Sequence, residues 1–419
     1  MIRAAAPAVN LAPASRPRGG KVVRLIPYTL RPSAVLQRGD AYVEIHHQRP
    51  GIAIANPWPQ LTRHGPITAF DLARALCSKA AWRTLMRGGP IMQPGPIWVF
   101  RRDDQALAPL VPLLKAHSIQ RLADFSPDPR FVHPRDIVDF EQFAQGIAAG
   151  TVPLPIIFKP NHNAYGWHIF ITTGRHDQAV EITMAHCPDQ RDGDAAGMLH
   201  ELGNPDEIRV DSEKNLVHWT VRRDRHDIAD TLYRLWARNA VNLEHRLFDA
   251  GMAERMIRDP AWQMIRADGG RCYETRHKFV GSLATGRVFL LNSANCAKLG
   301  ASSFIANITG RPASDDVRAS HMYEPLLAGG HLQPHEFAAF RDYVDGLVLA
   351  AFTYLVQRLR AAGVHADFGP GRTVHGCFDL MWLAPIHGRG FPRPLLVEGA
   401  IPMLKDFGRA ALQTLRVTE

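Results

Sequence analysis

The chain lacks a long hydrophobic run. Nowhere do about 18 or more apolar residues stand together, so no membrane-crossing helix is predicted. It is poor in cysteine: five in 419 residues, at positions 77, 187, 272, 296 and 377, widely spaced and without a C-x-x-C pair. That pattern suggests neither a disulfide framework nor a zinc site, and it fits a reducing cytoplasm. No G-x-S-x-G or comparable setting accompanies the 20 histidines, which speaks against a Ser/His/Asp or Cys/His hydrolase. Long basic runs are missing too. The formal charge is +9, but arginines are scattered along the chain, with only short clusters such as Arg222-Arg223-Asp224-Arg225. A dispersed positive excess suits nucleotides or phosphorylated substrates and argues against a dedicated nucleic-acid stripe. Acids are absent from the first 20 residues, MIRAAAPAVNLAPASRPRGG, which also have no continuous apolar segment. Their prolines spoil an amphipathic helix, and they read as a disordered tail.

What is present is a large apolar fraction, enough for more than one core at this length. Residues 21–110 read as a first unit, with short strands at Val22–Ile26, Ala41–Ile45 and Ile97–Phe100 and a helix over Thr68–Met86. His46 and His47 are adjacent on a strand, point to opposite faces and read as ordinary histidines. Apolar periodicity predicts helices over 106–122, 137–148, 227–250 and 336–360, and a terminal helix over 405–415. Residues 188–206 and 293–333 read as loops.

Four stretches carry chemistry. Ile156-Ile157-Phe158-Lys159-Pro160 is a buried strand closing on a lysine, followed by the polar loop 161–166 and a return strand over 167–172. Such a hairpin can hold phosphate through the ammonium and the loop N–H groups, or it can be a surface hairpin with a solvated lysine. Met252–Ile257 is short and strand-like. Cys272–Leu283 alternates and puts Glu274 and Arg276 on one face, either a solvated face or part of a metal-plus-phosphate site. Val374–Leu383 and Pro394–Val397 are apolar strands joined by a Gly/Pro-rich turn, and each carries one carboxylate, Asp379 and Glu398. An acid in an apolar run is costly unless paired, hydrogen-bonded or bound to metal. Two on neighbouring strands can converge on a hard cation such as Mg²⁺, or each can pair with an arginine.

The order of these pieces resembles the ATP-grasp superfamily over roughly residues 110–410. The resemblance implies an α+β fold in which two α+β subdomains, residues 111–250 and 251–419, clamp ATP, preceded by a smaller N-terminal α/β domain at 21–110. It implies that Lys159 contacts the nucleotide phosphates, that Tyr165-Gly166 lies in the phosphate-covering loop, and that Lys115 is the family's earlier lysine. Ala253-Glu254 resembles the hinge whose backbone reads adenine and whose acid reaches the ribose. Arg276 is similar to the arginine on the transferred phosphate, and Asp379 and Glu398 to the paired Mg²⁺ ligands. One departure is plain: where the family commonly has Glu-x-Asn, this chain has Glu398-Gly399-Ala400. The 161–166 loop is also poor in glycine.

The implied activity is ATP- and Mg²⁺-dependent ligation. A carboxylate on a small molecule or peptide becomes an acylphosphate, which an amine or thiol attacks. The loop 292–304, with Asn295 and Lys298, is the expected acceptor wall. Phosphotransfer to a hydroxyl or sugar, and nucleotide binding without turnover, are the alternatives. The missing Asn leaves room for the last.

Overall fold

Tyr273–Ser282 alternates in the manner of a strand, Thr373–Leu383 is an apolar strand buried on both faces, and in the computed structural model they pair antiparallel, Arg276 opposite Asp379 and Phe279 opposite Gly376. The structure describes residues 23–24, 41–43, 79–100, 132, 134–159, 170–175, 179–185, 195–203, 205–213, 216–239, 241–242, 247–248, 251–256, 263–282, 288–290, 295–300, 316–318, 321–361, 373–388 and 390–400. The chain falls into two compact units: residues 1–93, 273–298 and 312–419, and residues 94–272 and 299–311. Each unit holds one sheet of eight strands, so the architecture is a mixture of helices and sheets.

The first unit's sheet contains β1 (Val23–Arg24), β2 (Ala41–Val43), β13 (Tyr273–Ser282), β14 (Val288–Leu290), β15 (Cys296–Leu299), β16 (Asp316–Arg318), β17 (Thr373–Leu383) and β18 (Arg393–Ala400). Its order is β1-β2-β14-β13-β15-β16, with β17 pairing β13 and β18 pairing β17. Helices α1 (Lys79–Leu85), α5 (Glu324–Ala328) and α6 (Phe337–Ala361) belong to the same unit. In α6, Phe340, Val344, Val348, Ala351, Phe352 and Leu355 recur every three or four residues and are all buried. Phe352 stacks on Phe279 and on Phe378, which ties α6 to the apolar face of β13 and β17. Burying each such ring contributes roughly 1.5–3 kcal/mol. The outer edge of β18 is closed by α1 and the segment after it. Arg83 donates to the Leu396 carbonyl at 2.7 Å, and the Leu396 N–H donates to the Met92 carbonyl at 2.8 Å. Those bonds use backbone groups that would otherwise offer a pairing edge.

The second unit's strands are β3 (Ile97–Phe100), β4 (Ile137–Val138), β5 (Ile156–Lys159), β6 (Phe170–Arg175), β7 (Ala179–Ala185), β8 (Ile208–Asp211), β9 (Leu216–Arg222) and β12 (Met252–Arg255). They run in the order β4-β3-β12-β5-β6-β7-β9-β8. A small pair, β10 (Val241–Asn242) with β11 (Leu247–Phe248), stands apart from the sheet. Helices α2 (Phe140–Ala148), α3 (Ala195–Leu202) and α4 (Ile228–Asn239) complete the unit. Phe100, Phe140, Phe143, Phe158, Phe170 and Trp236 share its core. Phe158 stacks on Phe170 at 4.2 Å and Phe140 on Trp236 at 4.7 Å. The strands at 97–100 and 252–255 sit in this sheet, outside the 111–250 span expected for it.

Several boundaries differ from the sequence reading. Helix α2 starts at Phe140, because the Asp139 side chain caps it by accepting from the Gln142 N–H, and Ile137–Val138 pair with β3 instead. Helix α4 stops at Asn239, short of the expected residue 250. Just beyond it, Val241–Asn242 pairs with Leu247–Phe248 as a short strand. Asp227 does cap α4, accepting from the Ala229 and Asp230 N–H groups. Helix α3 lies within the expected loop 188–206, and β15, β16 and α5 lie within the expected loop 293–333. The tail 1–20, His46-His47, the helices at 106–122 and 405–415, Lys115, and the loop with Tyr165 and Gly166 fall outside the described residues. Among the described residues no helix is long and apolar enough to cross a membrane.

Candidate functional site

Alternation along β13 sends Glu274, Arg276 and Lys278 to one face and Thr275, His277 and Phe279 to the other. Register then fixes the neighbours: Asp379 on β17 lies opposite Arg276, and Glu398 on β18 lies opposite Asp379. The next pair is Leu380 with Leu396, so Val397 is the extra residue of a β-bulge. Glu398 and Leu396 are two apart and would share a face in a regular strand. The bulge lets Glu398 join Asp379 while Leu396 stays with Leu380.

Arg276 grips Asp379 with both arms of its fork, Nε to Oδ1 at 2.8 Å and Nη2 to Oδ2 at 2.8 Å. From β15, Lys298 donates its Nζ to the same Oδ2 at 2.8 Å and reaches Glu274 Oε2 at 2.7 Å. The Asp379 and Lys298 side chains are only 1% and 5% exposed, so these charges are desolvated. Two acids face two cations and the formal charge cancels, the condition for burying such a set. On the same sheet, Glu398 pairs with Lys79 of α1 at 3.5 Å.

The proton affinities follow. Burial pushes the Asp379 carboxyl up, but Arg276 and Lys298 outweigh it and hold it well below the usual carboxylate range. Burial likewise pulls Lys298 down, and Asp379 and Glu274 outweigh it, leaving the ammonium more basic than usual. Glu274 goes the other way: burial, only partly offset by Lys298, raises it above the ordinary value. Burial also pushes the Cys377 thiol up to about 12, so it is not a thiolate near neutrality. On the opposite face, burial pushes His277 down to about 3. Its Nε2 lies 3.0 Å from Thr275 Oγ1, which accepts from Trp382 Nε1 at 3.1 Å. This histidine is a neutral part of the core.

The second unit has its own charged pair. Lys159 ends β5 and Glu254 lies on β12, diagonally across the ladder on the same face, and Lys159 Nζ donates to Glu254 Oε1. Both are largely buried, at 14% and 4% side-chain exposure. Ile157, Ile171, Leu216 and Met256 form a small apolar cluster in the same unit. β12 is paired along both edges, to β3 and β5, so the backbone share expected of Ala253 is taken up by the sheet.

The structure thus brings Arg276, Asp379 and Glu398 together in one unit and Lys159, Ala253 and Glu254 in the other. It moves Lys298 from the expected acceptor wall into the charged cluster. Asn295 is likewise turned inward, its Oδ1 accepting from the Lys278 N–H at 2.8 Å. Sequence reasoning missed this role for Lys298, since β15 is four residues long in a Ser/Asn/Gly-rich stretch. Its one signal was a lysine between Ala297 and Leu299.

As metal donors these residues fit poorly. Both Asp379 oxygens already accept from cations, Glu274 is bridged by Lys298, and Ala400 offers no side-chain oxygen. Mg²⁺ demands near-octahedral oxygen coordination, and an ion here would sit beside a guanidinium and an ammonium. Among the described residues no group of three or more His, Cys, Asp or Glu is placed to hold a metal. No protein-family profile matches the sequence, and no curated protein does either.

Proposed function

We propose that the chain is an ATP-dependent enzyme of the ATP-grasp kind, activating a carboxylate for attack by an amine or thiol. The observation that carries this reading is the way Arg276 is held. Its Nε and Nη2 are fixed on Asp379, its side chain is 23% exposed, and Asp379 is braced from behind by Lys298. Nη1 makes no hydrogen bond among the described residues, so it can meet a phosphoryl oxygen with little reorganisation. Such preorganised charge is the main source of catalysis in phosphoryl transfer. In the other unit, Lys159, held by Glu254, is proposed as a phosphate contact in its own right.

In the proposed reaction a substrate carboxylate oxygen attacks the γ-phosphorus and ADP leaves. The nitrogen or sulfur lone pair of the acceptor then attacks the acyl carbon and inorganic phosphate leaves. Arg276 would balance charge on the transferred phosphoryl oxygens, and Asp379 would position it. Asp379 is engaged with two cations, so these roles fall to side chains and none is assigned to a protein-bound ion. The third expectation, nucleotide binding without turnover, draws support from Ala400 in place of the family's Asn.

The test is ADP release from ATP with a panel of carboxylate–amine and carboxylate–thiol pairs, using Arg276→Lys and Lys159→Met as controls. The ligase reading expects ADP only when both substrates are present, with loss in both variants. Phosphorylated acceptor without a carboxylate would indicate phosphotransfer. Bound ATP with no ADP under any pair would indicate a binding protein.

A further inference from the structure

We propose that Lys298 is the built-in cation of this site, its ammonium bridging Glu274 and Asp379, so that the divalent ion which the ATP-grasp reading puts on Asp379 and Glu398 is not held by the protein itself. The proposal rests on that reading for its location only. Its physical content is the geometry of one nitrogen. Nζ stands 2.7 Å from a Glu274 oxygen and 2.8 Å from an Asp379 oxygen, and all three side chains are nearly withdrawn from water. An ammonium has only N–H donors and no acceptor, so two carboxylates are natural partners for it. A divalent ion binding the same carboxylates would have to expel Lys298 or sit against it.

Two further features point the same way. Asp379 Oδ2 also accepts from Arg276 Nη2, so a second cation already lies next to that oxygen. Glu398, opposite Asp379 on β18, is turned to Lys79 on α1. The cation is also covalently part of the sheet, since Lys298 lies on β15, whose Ala297 pairs with Val317 of β16. Chelation cannot strip it. Any divalent ion needed for turnover would arrive coordinated to the phosphates of the nucleotide, the habit of Mg²⁺ in many phosphoryl-transfer sites.

The test uses the full chain without nucleotide and Mn²⁺ as the probe, followed by the loss of the free-Mn²⁺ electron paramagnetic resonance signal and by the unfolding temperature in Mn²⁺ against EDTA. The wild type is expected to show no saturable Mn²⁺ uptake sensitive to Asp379→Asn, and the same unfolding temperature in both media. Lys298→Met removes the ammonium at similar size and leaves Glu274 and Asp379 facing each other. That variant is expected to gain one Mn²⁺ site and an unfolding temperature that rises with Mn²⁺, as linkage requires of a cation that binds the folded state. Saturable uptake by the wild type that Asp379→Asn abolishes overturns the proposal. A folded Lys298→Met that gains no Mn²⁺ site overturns it as well. Should that variant not fold, the wild-type titration decides. ATP affinity measured in EDTA stands apart from these arms. Its absence would remove the proposed function and leave the Mn²⁺ result intact.

Discussion

Each unit buries charge on a sheet, and the two do it differently. On β13, β15 and β17 four charges share one network, with Asp379 serving two cations. On β5 and β12 a single lysine meets a single acid. In the first, losing Asp379 strands the fork of Arg276 and losing Lys298 strands Glu274, while Asp379 and Lys298 each keep a partner when Arg276 or Glu274 is lost. In the second, Lys159 ends its strand and meets Glu254 through a single ion pair. The network therefore concentrates its cost in two shared residues, while the pair has one such contact to lose.

The sharpest way to break the comparison is Asp379→Ala. It leaves Arg276 and Lys298 buried without their shared acid and is expected to cost about 3–5 kcal/mol in denaturant unfolding. Lys159→Met, the matched change in the other sheet, is expected to cost less, about 1.5–3 kcal/mol, the worth of a hydrogen bond to a charged group. Equal losses would mean that the two arrangements are energetically alike. Gly399→Ala probes the support of Glu398. An added Cβ would come within 2.3 Å of the Trp82 ring, which is itself packed edge-on against Phe378. Overpacking of this kind costs about 1–3 kcal/mol and should loosen β18 while leaving Lys159 and Glu254 undisturbed.

The smallest effect is read in pH. His277 is pushed down to about 3 in the folded state against an ordinary 6.5, so its contribution is full above 6.5 and fades as pH falls toward 3. The slope is at most about 1.4 kcal/mol per pH unit. Asp379 has the same sign but acts only below the usual carboxylate range, whereas raised Glu274 has the opposite sign and loses its contribution as pH rises through its folded pKa. His277→Gln is expected to flatten the limb between pH 6.5 and 5, measured by unfolding at several pH values. An unchanged limb would assign the acid sensitivity elsewhere.

Much of this was legible in the sequence where apolar periodicity is strong. The strands carrying Lys159 and Asp379 stand out as short apolar runs, the strand carrying Arg276 as an alternating one, and the helix over 337–361 by apolar residues every third or fourth position. The facing of Glu274 and Arg276 followed from parity alone. What could not be read was pairing between distant segments. That Arg276 would spend its fork on Asp379, 103 residues away, depends on register, and register is set by the whole sheet. The bulge at Val397 and the short strand with Lys298 leave hardly any periodic mark. The start of α2 was lost because one polar residue, Asp139, caps the helix inside the pattern, and the end of α4 because residues 241–242 pair as a strand instead.

The central claim is that Arg276, held by Asp379, is a phosphate-binding group. Calorimetric titration of ATP into the wild type and into Arg276→Lys tests it most directly. The account expects saturable binding to the wild type and a loss of roughly 10–100-fold in the variant, the 1.5–3 kcal/mol of a charge-assisted hydrogen bond. No ATP binding by the folded wild type, or equal affinity in the two proteins, would contradict it.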